Sequence, residues 1–428
     1  MKVHFYTLGC KVNQYDTESL KELFSSAGYD ISATPTDCDV IVVNSCSVTA
    51  NSNKKTRQAV RKFKRENPNA KVILRGCLPQ AYPKKAKELV EADIITGTKN
   101  NKEILRLESF LDEHKKGDVF EECPITSFSE KTRAIIKIQD GCDRYCSYCI
   151  IPIARGYSRS RSLENLKNEL IQIKKAGYKE VVLVGINFCC YGLDIGKTFV
   201  DAIELADSIG FDRVRIGSLE FDNISDEAIK RLTKLKSFCP HFHISLQSGC
   251  DKTLKAMNRH YTTAEYMALI KKLRTAFKDA TITTDLMVGF PEETEEDFEE
   301  SIEFVKKVGF EKVHVFPYSA RPKTKAAQMK QIQNKIKEER TKIALEVADE
   351  LRRKFLEKQI GKTVNVLCEE FKSEKNSTTQ CKKIKQGVIS GFTENYTPVE
   401  FKSDKNLQNE IVQVHITKAK TASCIGEL

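Results

Sequence analysis

Over the first 115 residues, short apolar runs alternate with longer segments of mixed polar and apolar character. The runs at 2–8, 40–43, 72–74 and 93–95 each precede a stretch long enough for a helix. That alternation predicts an open parallel sheet with covering helices in an α/β fold. Residues 116–133, with Gly117-Asp118 and Cys123-Pro124 and little periodicity, read as a linker. Strand-like runs then resume at 135–138, 181–184, 214–217, 243–246, 282–288 and 312–317, with helical segments such as 163–176, 198–209, 263–277 and 294–308 between them. Six strand–helix units over 134–329 predict a partial (β/α)6 barrel, a six-stranded relative of the eight-stranded α/β barrel. A helix of mixed charge at 330–360 connects to short runs at 363–368, 386–390, 396–401 and 410–419, so 361–428 is predicted to be a small all-β barrel.

Composition narrows the class. A chain of 428 residues with 40% apolar content can bury two or three cores. It holds no run of 18 apolar residues, and its first ten residues lack an apolar signal core with a small-residue cleavage site. The expectation is a cytoplasmic protein without a membrane partner, in which fifteen cysteines serve metal or redox chemistry rather than disulfides. Residues 51–87 carry twelve Lys or Arg against the lone Glu66, a balance of +11 that equals the formal net charge of the whole chain. Such a concentration favours an anionic partner, nucleic acid first, although a Lys-rich helix is often only a solvated face. A small C-terminal barrel of the oligonucleotide-binding kind suits the same partner.

The cysteines carry the chemistry. Cys142, Cys146 and Cys149 follow the first barrel strand with Cys-x3-Cys-x2-Cys spacing. A four-iron cluster takes four ligands, so three thiolates on one loop leave an iron open; a zinc knuckle would need a fourth Cys or a His that this loop does not offer. Cys10, Cys46 and Cys77 each lie just past a predicted strand of the N-terminal sheet, where open α/β sheets form their binding crevice. One such cysteine would be ordinary core; three in succession predict a second three-ligand metal site.

With Tyr148 before its last cysteine, the loop resembles the signature of the radical S-adenosylmethionine (SAM) superfamily. Thr7-Leu8-Gly9-Cys10-Lys11-Val12-Asn13-Gln14-Tyr15-Asp16, Val43-Asn44-Ser45-Cys46-Ser47-Val48-Thr49, Gly76-Cys77, Ile151-Pro152-Ile153-Ala154-Arg155-Gly156, Ser245-Leu246-Gln247-Ser248-Gly249, Met257-Asn258-Arg259 and Asp285-Leu286-Met287-Val288-Gly289-Phe290-Pro291 extend the likeness over nearly the whole chain. Together they resemble the methylthiotransferases, and Lys11-Val12-Asn13 with Tyr15 resembles the branch acting on threonylcarbamoyladenosine in tRNA. The branch acting on isopentenyladenosine tends to carry Gln-Met-Asn there, and that acting on a ribosomal protein Pro-Lys-Asn. The C-terminal segment resembles the TRAM domain, an RNA-binding barrel. Departures are Cys189-Cys190, Cys250 and the stretch Gly217-Ser218-Leu219-Glu220-Phe221.

The resemblance implies two 4Fe-4S clusters, one on Cys142, Cys146 and Cys149 that cleaves SAM, and one on Cys10, Cys46 and Cys77 that presents sulfur. SAM would serve as methyl donor and as radical source. The product would carry a methylthio group at C2 of the modified adenosine next to the anticodon, at position 37. A radical is called for because that C–H is neither acidic nor open to displacement. Gly185 and Asn187 fall where the superfamily holds the SAM amino group, and Ser218, Glu220, Gln247 and Asp285 are weaker candidates for SAM or substrate. Lys54, Lys55, Arg57, Arg61 and Lys62 would hold RNA phosphates, with Lys382, Lys383 and Lys385 from the C-terminal domain. Implied partners are tRNA, a low-potential electron donor of flavodoxin or ferredoxin type, and a sulfur donor. The competing readings are the isopentenyladenosine or ribosomal-protein substrate and a non-catalytic iron–sulfur RNA-binding protein. The segment 191–198 fails as a phosphate loop because Tyr191 stands where its first glycine belongs, and Cys239-Pro240-His241-Phe242-His243 reads as a strand entrance.

Overall fold

The computed structural model describes residues 1–128, 132–373 and 387–428. Strands β1 (Lys2–Thr7), β2 (Asp30–Ser32), β3 (Val40–Ser45), β4 (Lys71–Gly76) and β5 (Ile94–Ile95) form an all-parallel sheet in the order β2-β1-β3-β4-β5. Helices α1 (Lys11–Ser26), α2 (Ala50–Glu66), α3 (Cys77–Ala81) and α4 (Pro83–Lys87) belong to this layer. The central strand β3 is buried along its full length, which is why Val40-Ile41-Val42-Val43 is apolar without alternation. Strand β2 has only three residues and little apolar character, so the sequence pattern did not reveal it. Residues 116–128 form no helix or strand, yet they bury Phe120, Ile125 and Phe128.

The barrel strands are β6 (Arg133–Asp140), a short antiparallel edge β7 (Arg159–Ser160), β8 (Glu180–Gly185), β9 (Arg213–Ile216), β10 (Ser218–Leu219), β11 (His241–Ile244), β12 (Thr281–Val288) and β13 (Lys312–Pro317). The third of the six expected strands is broken at Gly217. Its first half, β9, pairs with β8, and its second half, β10, pairs with β11. Helices α5 (Ile151–Arg155), α6 (Leu163–Lys175), α7 (Phe199–Ser208), α8 (Asp226–Leu232), α9 (Asp251–Ala256), α10 (Thr263–Ala276), α11 (Glu295–Val308) and α12 (Asn334–Glu357) follow in order. Caps fix several helix starts: Thr262 and Thr294 head α10 and α11 with reciprocal bonds to Glu265 and Asp297.

Strand alternation splits the barrel into two faces. Ala134, Ile136, Ile138, Val181, Leu183, Phe242 and Ile244 pack in one apolar core with the helices. The other face mixes apolar side chains such as Ile135, Val182 and Val184 with polar pairs: Arg215 bonds Glu180 (2.7 Å), and His243 meets Thr283 (3.0 Å) and Asp285 (3.1 Å). The C-terminal strands β14 (Thr363–Ser373), β15 (Gly387–Thr393), β16 (Pro398–Ser403), β17 (Ile411–Ala419) and β18 (Cys424–Glu427) close a barrel in the order β14-β15-β16-β18-β17. Its β15–β16 turn seals the amino-terminal mouth of the central barrel. Tyr396 stacks on His241 (4.7 Å) and Phe392 (4.5 Å), Arg213 donates to the Phe392 carbonyl (2.8 Å), and Arg215 donates to the Glu394 carbonyl (2.8 Å). No helix among the described residues is long and apolar enough to cross a membrane.

Candidate iron–sulfur and SAM site

Because β1, β3 and β4 are neighbours, Cys10, Cys46 and Cys77 stand at three adjacent strand ends. Cys10 caps α1, Cys46 directly follows β3, and Cys77 opens α3. The loops are stapled together. Asn13 Nδ2 donates to the carbonyls of Leu8 (2.7 Å) and Ser45 (3.0 Å), while Ser45 Oγ donates to the Arg75 carbonyl (2.5 Å). Burial raises the pKa of Cys46 and pushes that of Cys77 up to about 12, against the nearby Arg155 charge. Such thiols keep their protons in the absence of a cationic partner, and binding to iron would replace them.

The second triad lies on the loop between β6 and α5. Gly141 begins it at φ +74, where a Cβ would stand 1.9 Å from the Tyr157 carbonyl oxygen. The Met257-Asn258-Arg259 stretch clamps the loop: Ser147 N–H donates to the Met257 carbonyl (3.0 Å), and Asn258 Nδ2 donates to that of Tyr145 (3.1 Å). Arg259 Nη1 lies 3.6 Å from Cys146 Sγ, and Asn187 Nδ2 lies 3.7 Å from Cys142 Sγ. Burial pushes the Cys142 thiol up to about 12 and also raises Cys149. All six cysteines are free thiols. Among the described residues, no three His, Cys, Asp or Glu side chains stand close enough for a single metal ion.

The helix opened by Cys77 packs on the helix that follows Cys149: α3 meets α5 in one small apolar cluster of Cys77, Ala81, Tyr82, Ile150 and Ala154. Beside it lies a buried ionic network that sequence reasoning gave no role. Arg155 bonds Asp16 (2.8 Å) and Asp140 (3.2 Å), and Lys137 bonds Asp16 (2.5 Å). Its only sequence signals were the Asp16 and Arg155 motifs quoted above, which carry no metal-ligand or nucleophile pattern.

The candidate SAM residues separate into groups. Gly185 ends β8, where a Cβ would come within 2.9 Å of Gln139 Oε1. Asn187 N–H donates to that same oxygen (2.8 Å), and Asn187 Oδ1 is buried without a hydrogen-bond partner. Glu220 pairs with Arg259 beside Cys146. Gln247, at φ +66, also holds a buried unpartnered Oε1. Orphaned acceptors of this kind are costly unless a ligand donates to them, and an ammonium group such as that of SAM can. Asp285 is engaged by His243, and Ser218 is exposed on β10. On α2 the apolar Thr56-Ala59-Val60-Phe63 stripe faces inward, leaving Lys54, Lys55, Arg57, Arg61 and Lys62 exposed. Arg75, counted in the same basic segment, is instead internal and donates to Asn101 (2.6 Å). Lys382, Lys383 and Lys385 lie outside the described residues.

Comparison with known proteins bears on the family and the fold. The family model "Radical SAM superfamily" matches residues 136–305, and "Uncharacterized protein family UPF0004" matches residues 2–97. The threonylcarbamoyladenosine tRNA methylthiotransferase MtaB of Bacillus subtilis is 36% identical, over 97% of this chain and 94% of its own. Its Aquifex aeolicus counterpart is 38% identical, over 86% and 92%. A tRNA-2-methylthio-N(6)-dimethylallyladenosine synthase of Pelotomaculum thermopropionicum is 33% identical, over 100% and 97%. Among solved structures, the radical SAM methyltransferase TsrM of Kitasatospora setae shares the fold, with a TM-score of 0.58 at 12% identity over 76% of this chain and 77% of that one.

Proposed function

We infer, from a chain that belongs to the radical SAM methylthiotransferase family, that its reaction is transfer of a methylthio group to C2 of N6-threonylcarbamoyladenosine in tRNA. The observation that carries this reading is the pairing of two cysteine triads: one on three adjacent strand ends, the other on the first barrel loop, joined through α3 and α5. When bound, a cluster at Cys142, Cys146 and Cys149 supplies the electron for SAM cleavage, and one at Cys10, Cys46 and Cys77 supplies a seat for sulfur.

The chain's own residues position and shield. Arg259 and Asn187 donate toward Cys146 and Cys142 and hold polar hydrogens against those two sulfurs. Asn187 Oδ1 and Gln247 Oε1 are the acceptors placed for SAM. The β15–β16 turn closes the far mouth of the barrel and keeps bulk water from entering there. The exposed cations of α2 start five residues beyond Thr49, which follows Cys46 closely, so RNA phosphates held there would bring a base to the sulfur-bearing side. The reaction also draws on a low-potential reductant of flavodoxin or ferredoxin type and on a sulfur donor.

Anaerobic reconstitution followed by reaction with reductant, SAM and tRNA bearing either modified adenosine tests the assignment. Mass spectrometry of the nucleosides should show a methylthio gain on threonylcarbamoyladenosine alone. A gain only on dimethylallyladenosine would move the chain to the other tRNA branch, and no SAM cleavage with both clusters intact would leave an RNA-binding protein.

A further inference from the structure

The segment 318–326, which follows β13, touches both cysteine-bearing units. Ala326 N–H donates to the Ser147 carbonyl (2.8 Å), inside the loop at 142–149. Lys323 Nζ donates to the carbonyl of Ala81 (2.8 Å), the last residue of the helix that Cys77 opens. Tyr82, the cap of that helix, donates from its hydroxyl to the Pro322 carbonyl (3.4 Å) and packs with Cys77, Ile150 and Ala154. Arg321 lies on this bridge and is only 4% exposed, with Tyr82, Cys46 and Tyr318 as its electrostatic neighbours.

The Arg321 guanidinium is short of partners. Nη2 donates to Ser319 Oγ (2.9 Å), Nε is buried without a hydrogen bond, and among the described residues no carboxylate stands within ion-pair distance. Two more cations sit over the Tyr82 ring, Lys85 (5.6 Å) and Lys323 (5.8 Å), and neither pairs with an acid among the described residues. A buried cation without a counterion is costly unless a ligand brings one. The RNA backbone is such a ligand. C2 of the target adenine has to be reached from both triads, so its base enters beside the segment that bridges them. A base splayed out of a loop is positioned through the phosphates next to it. Three cations without an acidic partner suit a phosphodiester strand, whereas a single carboxylate is matched by one guanidinium. We propose that Arg321 binds a phosphodiester adjoining the target nucleotide, with Lys85 and Lys323 completing the cradle around Tyr82. This rests on the tRNA substrate inferred above.

The test is binding to cluster-loaded protein without reductant, so that no turnover intervenes. Anticodon stem-loop RNAs with threonylcarbamoyladenosine carry one uncharged methylphosphonate linkage: 5′ of the modified nucleotide, 3′ of it, or in the stem. The native protein should lose about tenfold to a hundredfold in affinity at one of the flanking linkages, the range of a charge-assisted hydrogen bond, and little at the stem linkage. Arg321→Gln should lose the same factor on the unsubstituted RNA and show no further loss at that linkage, while Arg321→Lys retains part of the affinity. The native comparison needs no variant, so a poorly folded R321Q cannot mask the answer. No loss at either flanking linkage, in a protein that still methylthiolates threonylcarbamoyladenosine, overturns the proposal and leaves the function standing. An R321Q protein that binds like the native one, or that stays sensitive to the same linkage, also overturns it. So does a loss on the methyl ester of the threonylcarbamoyl carboxylate that R321Q abolishes, which would assign Arg321 to that carboxylate. If dimethylallyl stem-loops bind better and show the same linkage effect, the substrate reading falls and this inference stands.

Discussion

Arg155 Nη1 donates to Asp16 Oδ2 at 2.8 Å, tying the helix behind Cys10 to the segment behind Cys149. The same guanidinium reaches Asp140, two residues before Cys142. With Lys137, which also bonds both carboxylates, this buried cation ties the two cysteine-bearing units together.

The network makes stability depend on pH with a definite sign. Burial alone would raise the Asp16 and Asp140 carboxyls, but Arg155 and then Lys137 outweigh it and hold both below the usual range. A depressed folded pKa gives stabilisation that is complete above the unfolded value of about 4 and is lost as pH falls below it. Asp140→Asn should cost about 3–5 kcal/mol at neutral pH, because it removes the carboxylate shared by Arg155, Lys137 and Arg159 and leaves Asp16 as the remaining partner of the first two. The gap to the native protein should narrow between about pH 5 and pH 3. Urea midpoints across that range provide the measurement, and a constant gap would refute the account.

Gly9 is required by its neighbour. Its φ is +113, and a Cβ there would sit 2.7 Å from Cys46 Cβ and 3.1 Å from Cys46 Sγ. Gly9→Ala should displace Cys46 and lower iron content by up to about half, the share of one of two four-iron clusters. Gly28→Ala is the control, since its φ of +85 carries the same backbone strain with nothing within 4 Å of the new Cβ. It should lose about 1–3 kcal/mol of stability without losing iron.

The cations of α2 are not equivalent. Arg61 pairs with Glu91 (3.2 Å) and Lys62 approaches Glu66 (4.0 Å), whereas Lys54, Lys55 and Arg57 have no such partner among the described residues. Neutralising those three should flatten the salt dependence of tRNA binding by about two logarithmic units per decade of salt. Arg61→Gln should change the slope less. Filter binding at several salt concentrations reads the slope, and an unchanged value would remove α2 from the RNA interface.

The plug should be a stability element as well as a seal. Tyr396 lies between His241 and Phe392 with the Arg215 guanidinium 4.8 Å from its ring. Tyr396→Ala should cost about 3 kcal/mol or more and expose the barrel mouth to protease. Tyr396→Phe keeps the stack and should stay near the native midpoint in thermal unfolding.

Local pattern was enough to place most strands and helices to within a residue or two. Alternation and apolar runs reflect burial that each segment experiences on its own, as β3 and β12 illustrate. The cysteine triad at 142–149 was equally legible, because its ligands are neighbours in sequence. Three further features lay beyond the pattern. Strand β2 is too short and too polar to register, β18 pairs in parallel with β16 across a long interval, and the break at Gly217 depends on two different neighbours.

What the sequence by itself determined is the set of chemical groups: six cysteines, a basic helix and the strands that carry them. Tertiary structure alone decided which of these meet. The order β1-β3-β4 brings Cys10, Cys46 and Cys77 together, and the Asp16–Arg155–Asp140 contacts fix one triad against the other. It also turned Arg75 inward. Charged side chains have no period of their own along the chain. Their partners are chosen by which backbones pack together, since a buried charge must find its counterion wherever the fold places one.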